Sequence, residues 1–212
     1  MTFRALVERL ETALRQPLPG TPAQELMAPR PRRHWPAGFD LAHVRQAAGL
    51  LLVVNHDERA HIVLTVRAHT LDRHGGQVSM PGGVIERGET AEDAALREAQ
   101  EEIGLDRREV RLLGALTPID IQISGFRLQP IVAAADRPVA FRSAPDEVDR
   151  VIEVPVDDLL DAQRFIWRSL ARDGVSLEFP AFPLDDAEIW GATAMVLAEF
   201  LVLLGWTGPR LP

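Results

Sequence analysis

Residues 47–68 read AAGLLLVVNHDERAHIVLTVRA, two apolar runs on either side of the polar stretch 55–59. Short runs rich in Val, Ile and Leu around a polar turn make a β-hairpin, because a parallel crossover needs a far longer connection. The hairpin predicts a sheet core that begins near Arg45. Further strands are expected at 110–119 (VRLLGALTPI), 127–135 (RLQPIVAAA), 148–154 (VDRVIEV) and in VSLEFPAF near the end. A glycine-rich loop and one helix separate the hairpin from these strands, so the pattern is a mixed sheet with a few helices.

The flanks are different in kind. Phe3, Leu6, Val7, Leu10 and Leu14 recur at helical spacing over residues 3–15. After Gln16 the chain turns to PLPGTPAQELMAPRPRRHWPAG, whose prolines forbid a long helix and predict a wrapping connector. The apolar run IWGATAMVLAEFLVLLGW approaches spanning length but carries Glu199 in its middle and lacks a basic flank. It reads as a buried or subunit-interface helix rather than a membrane span. The expected division is therefore an N-terminal helix and connector (residues 1–44) packed on a single domain (45–212) that ends in a helical extension.

A chain of 212 residues with 46% hydrophobic and 25% charged residues has the makings of one folded core. Its formal charge of -8 opposes a general nucleic-acid or anionic-membrane binder. All 23 basic residues are Arg, each a planar fork suited to phosphate. Cysteine is absent, which excludes disulfides, thiolate metal sites and a Cys nucleophile. A cytoplasmic location is expected, since MTFRALVERLETALRQ lacks the apolar core of a secretory signal. The apolar final helix and the proline-rich arm leave room for a homodimer.

The chemistry concentrates in GGQVSMPGGVIERGETAEDAALREAQEEIGL, residues 75–105. Thr90 is a good N-cap with Asp93 three residues on, and Gly104 supplies the stop, which frames a helix over 91–103. At roughly 100° per residue Glu98, Glu101 and Glu102 share one stripe, beside an apolar stripe of Ala95, Ala99 and Ile103. A like-charge pair at this spacing costs roughly 0.2–0.5 kcal/mol in an isolated helix, and burial raises the cost. Arg97 reaches back toward Glu89 or Glu101 but does not neutralise all of them. A hard divalent cation does, Mg²⁺ being an oxygen-seeking ion that also bridges to phosphates and Mn²⁺ fitting the same donors.

From Gly83 the segment reads G-x5-E-x7-R-E-A-x-E-E-x-G-L, with Gly83, Glu89, Arg97, Glu98, Ala99, Glu101, Glu102, Gly104 and Leu105 at the specified positions. This resembles the Nudix box without a mismatch. The resemblance implies an α+β fold, an α/β/α sandwich, and a metal-dependent hydrolase of nucleoside diphosphates linked to another group. It implies Glu98 and Glu102 as the principal ligands of Mg²⁺ or Mn²⁺, Glu101 as a further or water-mediated ligand, and the Gly83 carbonyl as a possible completion. Arg97 would orient the cluster against Glu89. The proton of the attacking water goes to a general base for which Glu101 and Glu147, in SAPDEVD, are both candidates.

The preceding stretch LTVRAHTLDRHGGQVSMPGG is similar to the signature of coenzyme A pyrophosphatases, with Leu64, Thr65, Arg67, Ala68, Gly76, Pro81, Gly82 and Gly83 in register. Met80 stands where that pattern has Phe, and Asp72 where it has Arg, with Arg73 one place later. EFPAFPLDDAEIWGATAMVL resembles the same subgroup's C-terminal segment, although Ile189 and Trp190 also suit an ordinary core. The resemblance implies cleavage of coenzyme A or its thioesters to 3′,5′-ADP and 4′-phosphopantetheine, with a CoA-like small molecule as the partner beside the homodimer left open above. Arg67 and Arg73 are candidate clamps for its anionic groups, while His69 and His74 read as loop hydrogen-bonders. Asp72 keeps ADP-ribose, NADH and dinucleotide polyphosphates open as alternatives. A silent nucleotide-binding domain is a third reading, opposed by the intact acid set.

Overall fold

A computed structural model describes residues 1–32, 34–68, 76–161, 164–172 and 175–209. The hairpin forms as its sequence predicts, strand β1 (Arg45–His56) pairing antiparallel with β2 (Arg59–Arg67). Asp57 and Glu58 turn it with positive φ at both positions, the backbone that a two-residue loop between twisted strands requires. Helix α1 (Phe3–Ala13) precedes them, capped by Thr2, and among its described residues the connector holds the short α2 (Gly20–Gln24) and two 3₁₀ turns.

Beyond the hairpin come β3 (Val78–Ser79), β4 (Gly82–Val84) and helix α3 (Ala91–Ile103). The run expected as one strand at 110–119 is broken by Thr117 and Pro118 into β5 (Arg111–Ala115) and β6 (Ile119–Ile121). Then follow β7 (Phe126–Ala135), β8 (Val148–Pro155) and the short α4 (Val156–Leu160). β1 runs parallel to β7 and antiparallel to β2 and β4, while β8 closes the far side of β2 and β3 pairs with its end. β5 and β6 pair antiparallel with β7. A second, three-stranded sheet joins β9 (Ile166–Arg172), β10 (Val175–Pro183) and β11 (Glu188–Ile189) ahead of helix α5 (Gly191–Leu203).

The architecture is an α+β sandwich around a mixed sheet. Ala48, Leu50, Leu52 and Val54 of β1 pack with Ala94, Ala95, Ala99 and Ile103 of α3. Leu51 and Val53 point the other way, into the cluster holding Leu6 and Leu10 of α1 and Val196, Leu197 and Phe200 of α5. Both faces of β1 are therefore covered, which explains an apolar run instead of strict alternation.

α5 is 13 residues long, and no helix among the described residues is long and apolar enough to cross a membrane. Glu199 is fully buried within it. Its carboxylate accepts from the Thr117 hydroxyl at 2.6 Å, the Gly20 N–H at 3.0 Å and the Gln24 amide at 2.9 Å. The one charge in the apolar run thus clamps the N-terminal arm and the β5–β6 loop onto the closing helix, each bond offsetting the cost of a desolvated carboxylate.

Candidate active site

α3 begins and ends where its sequence signals lie. The Thr90 hydroxyl oxygen accepts from the Asp93 N–H at 3.1 Å, and Gly104 closes the helix in the left-handed conformation with φ 70°. This phase turns Ala95, Ala99 and Ile103 into the sheet and presents Glu98, Glu101 and Glu102 toward β4 and solvent.

β4 lies hard against β1, Gly82 opposite Gly49 and Gly83 opposite Ala48. A Cβ on Gly82 would strike the Ala48 carbonyl, and one on Gly83 would overlap the Glu98 carboxylate. Only glycine admits that approach. The Gly82 N–H donates to Glu102 Oε2 at 3.2 Å. Gly82 was not among the expected site residues, although the Gly82–Gly83 pair in front of an acidic helix is the signal that marks it.

Arg97 engages more partners than the sequence suggests. It donates through Nε and Nη2 to the two oxygens of Glu89 at 2.9 and 3.1 Å, and through Nη1 to Glu98 at 2.8 Å and Glu101 at 3.1 Å. Nη2 also reaches the Val84 carbonyl at 3.0 Å, which ties the helix to the end of β4. The guanidinium bond holds the Glu89 carboxyl below the usual range, and the same contact raises Arg97 further above its own. Arg97 is thus the hub of the acid stripe.

Glu102 is the buried member, 4% exposed. Burial pushes its carboxyl up to about 7, against the opposing pull of the Gly82 N–H and the charge of Arg67, while the negative charges of Glu98 and Glu147 push the same way as burial. Arg67, Glu98 and Glu147, whose charges act on Glu102, are residues singled out in the sequence, whereas its hydrogen-bond donor Gly82 is not. Arg67 and Glu147 arrive together because β8 pairs with the end of β2, Arg67 opposite Val148, and the Ala68 N–H donates to the Glu147 carbonyl at 2.9 Å. Arg73, Asp72, His69 and His74 lie outside the described residues.

Among the described residues no three carboxylates converge closely enough to encircle a cation as they stand. The side chains of Glu98 and Glu101 are both drawn to Arg97, and that of Glu101 is 60% exposed. The donor set nonetheless fits a hard divalent ion: all its members are carboxylate or carbonyl oxygens. Gly83 leaves the space over β4 to the Glu98 carboxylate, and the buried Glu102 has no ion pair among the described residues. Trp190 and Ile189 pack as core, Trp190 stacked on Phe179 at 4.8 Å and Ile189 fully buried.

Residues 43–172 match the family model described as NUDIX domain. A curated relative from Klebsiella pneumoniae subsp. pneumoniae, named uncharacterized Nudix hydrolase NudL, is 31% identical over 182 residues, covering 85% of this chain and 91% of its own length. A protein of the same name from Salmonella paratyphi B is 35% identical over 162 residues, 76% of this chain and 83% of its own. Of the solved structures, the Nudix hydrolase RenU from M. smegmatis superposes with a TM-score of 0.54 at 21% identity, over 80% of this chain and 90% of that one. At that identity the likeness is one of fold.

Proposed function

We propose that this chain, which belongs to the NUDIX family, is a divalent-cation-dependent pyrophosphohydrolase whose substrate is coenzyme A or acyl-CoA, split at the diphosphate into 3′,5′-ADP and 4′-phosphopantetheine or its acyl form. Pyrophosphate-bond hydrolysis follows from the family; the coenzyme A substrate rests on the run from Leu64 to Gly83 and on the segment from Glu178. The observation that carries the reading is the closure of the Gly82–Gly83 corner on the acid helix, with the Gly82 N–H donating to Glu102 and the Glu98 carboxylate lying over Gly83.

Glu98, Glu102 and Glu101 would hold the cation, with the Gly83 carbonyl beside them. Mg²⁺ or Mn²⁺ bound there supplies charge neutralisation for the diphosphate and a water acidic enough to attack phosphorus. Arg97 orients Glu98 and Glu101 from behind. Arg67 offers its fork to a phosphate oxygen, and Arg73, six residues on in the sequence, is proposed as its companion. Of the two candidate bases, Glu101 is already engaged by Arg97, whereas Glu147 is exposed and has no ion pair among the described residues. That difference favours Glu147 as the group that takes the water's proton.

Asp72 supports a second reading, a pyrophosphohydrolase for ADP-ribose, NADH or a dinucleotide polyphosphate, because it inverts charge where the coenzyme A pattern has Arg. The test is a substrate panel. Protein supplied with Mg²⁺ or Mn²⁺ is offered coenzyme A, dephospho-coenzyme A, ADP-ribose, NADH and diadenosine polyphosphates, with products separated by chromatography. The coenzyme A reading requires the highest kcat/KM on coenzyme A or its thioesters; a preference for ADP-ribose or a dinucleotide overturns it in favour of the second.

A further inference from the structure

The connector carries a feature that neither the core nor the acid site uses. Trp35 and Phe39 stack with ring centroids 4.6 Å apart and planes 12° from parallel. The pair is built locally: the Phe39 N–H closes a turn onto the Pro36 carbonyl at 3.0 Å, and Gly38 supplies the positive φ, 77°, that a turn of this kind needs at its third position. Both rings are only half-buried. Arg127 grips the Asp120 carboxylate through Nε at 2.7 Å and Nη2 at 2.9 Å, and the Trp35 side chain lies beside the same carboxylate. Those two bonds leave about two of the four acceptor positions of the Asp120 carboxylate open.

The sheet register places this pair relative to the acid site. Gly83, over which Glu98 lies, pairs with Ala48, on the face of β1 that packs on α3. Gln46, two residues earlier and so on the same face, is in register with Arg127, and Arg127 with Asp120. From Gly83 to Asp120 is thus three strand spacings and a two-residue offset, about 15 Å on one face of the sheet. A nucleoside diphosphate laid along the sheet end from Glu98 brings its base to Trp35.

We infer that Trp35 and Phe39 form a base-stacking platform for the purine of the substrate, with Asp120 accepting from the exocyclic amine of an adenine. The inference rests on the pyrophosphohydrolase reading for its diphosphate end, but the platform is a binding site in its own right. Stacking on an aromatic side chain contributes about 1–3 kcal/mol per base, so losing half of the platform weakens adenine-nucleotide binding roughly 5- to 100-fold.

The test uses the full chain without metal, so that no turnover occurs. ADP and inorganic pyrophosphate are titrated while tryptophan fluorescence is followed, in the wild type, Trp35→Phe and Phe39→Ala, each checked for its fold by circular dichroism. The platform requires a saturable quench by ADP in the wild type that is absent in Trp35→Phe, an ADP affinity lowered at least 5-fold in Phe39→Ala, and no such quench by pyrophosphate. An unchanged quench in Trp35→Phe, an unchanged affinity in Phe39→Ala, or an equal response to pyrophosphate overturns it. A chain that binds ADP in this way and splits no diphosphate keeps the platform and loses the catalytic reading. One that splits coenzyme A with the KM unaltered by Phe39→Ala does the reverse.

Discussion

The carboxylate of Glu98 lies in the space that a side chain on Gly83 would need. The relationship couples a backbone position on β4 to an acid on α3, and it makes a specific prediction. Gly83→Ala leaves the backbone unstrained, since Gly83 is not among the positive-φ glycines, but forces Glu98 aside. Displacing a ligand's support typically costs 10- to 100-fold in metal affinity or activity. Mg²⁺ titration of activity should show a loss on that order with an unchanged circular dichroism spectrum.

Arg97 makes the same argument from the other side. Lysine keeps the charge but not the fork that spans Glu89, Glu98 and Glu101 at once. Arg97→Lys is expected to raise the Mg²⁺ concentration for half-maximal activity roughly 10-fold or more, and an unchanged metal requirement would reduce Arg97 to a surface residue.

Burial of Glu102 has a pH signature in the metal-free protein. Burial pushes its folded carboxyl up to about 7, above the ordinary 4.5, so between those values the native state holds a proton that the unfolded chain has released. Stability is then full below about pH 4.5 and falls as pH rises to about 7, by an amount on the order of 2–3 kcal/mol. Urea midpoints in the presence of a chelator should decline over this window for the wild type. Glu102→Gln, which stays neutral, should flatten the decline; the same slope in both proteins contradicts the assignment.

The Glu199 clamp predicts a stability effect away from the site. Glu199→Gln sets an amide NH₂ against the donors of Thr117, Gly20 and Gln24 and weakens bonds to a charged acceptor, each worth about 1.5–3 kcal/mol. Unfolding should shift by about 2 kcal/mol or more, and limited proteolysis should open the segment between α1 and α2 first.

How much was legible beforehand divides along the reach of the signals. α3 was framed to the residue because Thr90, Asp93 and Gly104 act within one turn of the helix ends they cap. The β1–β2 hairpin was legible for the same reason. β9 was not anticipated, because IWRSLAR shows no alternation and is a strand only through its pairing with β10. Proposing Glu147 from sequence identifies a carboxylate but not its place; the β2–β8 register, with its irregularity between Val66 and Arg67, sets its backbone against Ala68 at the end of β2. That Arg97 does not serve the whole stripe is legible and holds, since among the described residues it pairs with Glu89, Glu98 and Glu101 and not with Glu102; its bond to Glu98 is not legible, because a helical wheel shows angles and not a long side chain folding back between them.

The central claim is that α3 and the Gly82–Gly83 corner make a cation-dependent diphosphate-cleaving site, and the most direct measurement is the Mg²⁺-dependent turnover of coenzyme A by the wild type, Glu98→Gln and Glu102→Gln at matched fold. The account predicts turnover that vanishes with a chelator and falls by orders of magnitude in both variants, with circular dichroism unchanged. Turnover that persists at near wild-type rate in either variant would contradict it.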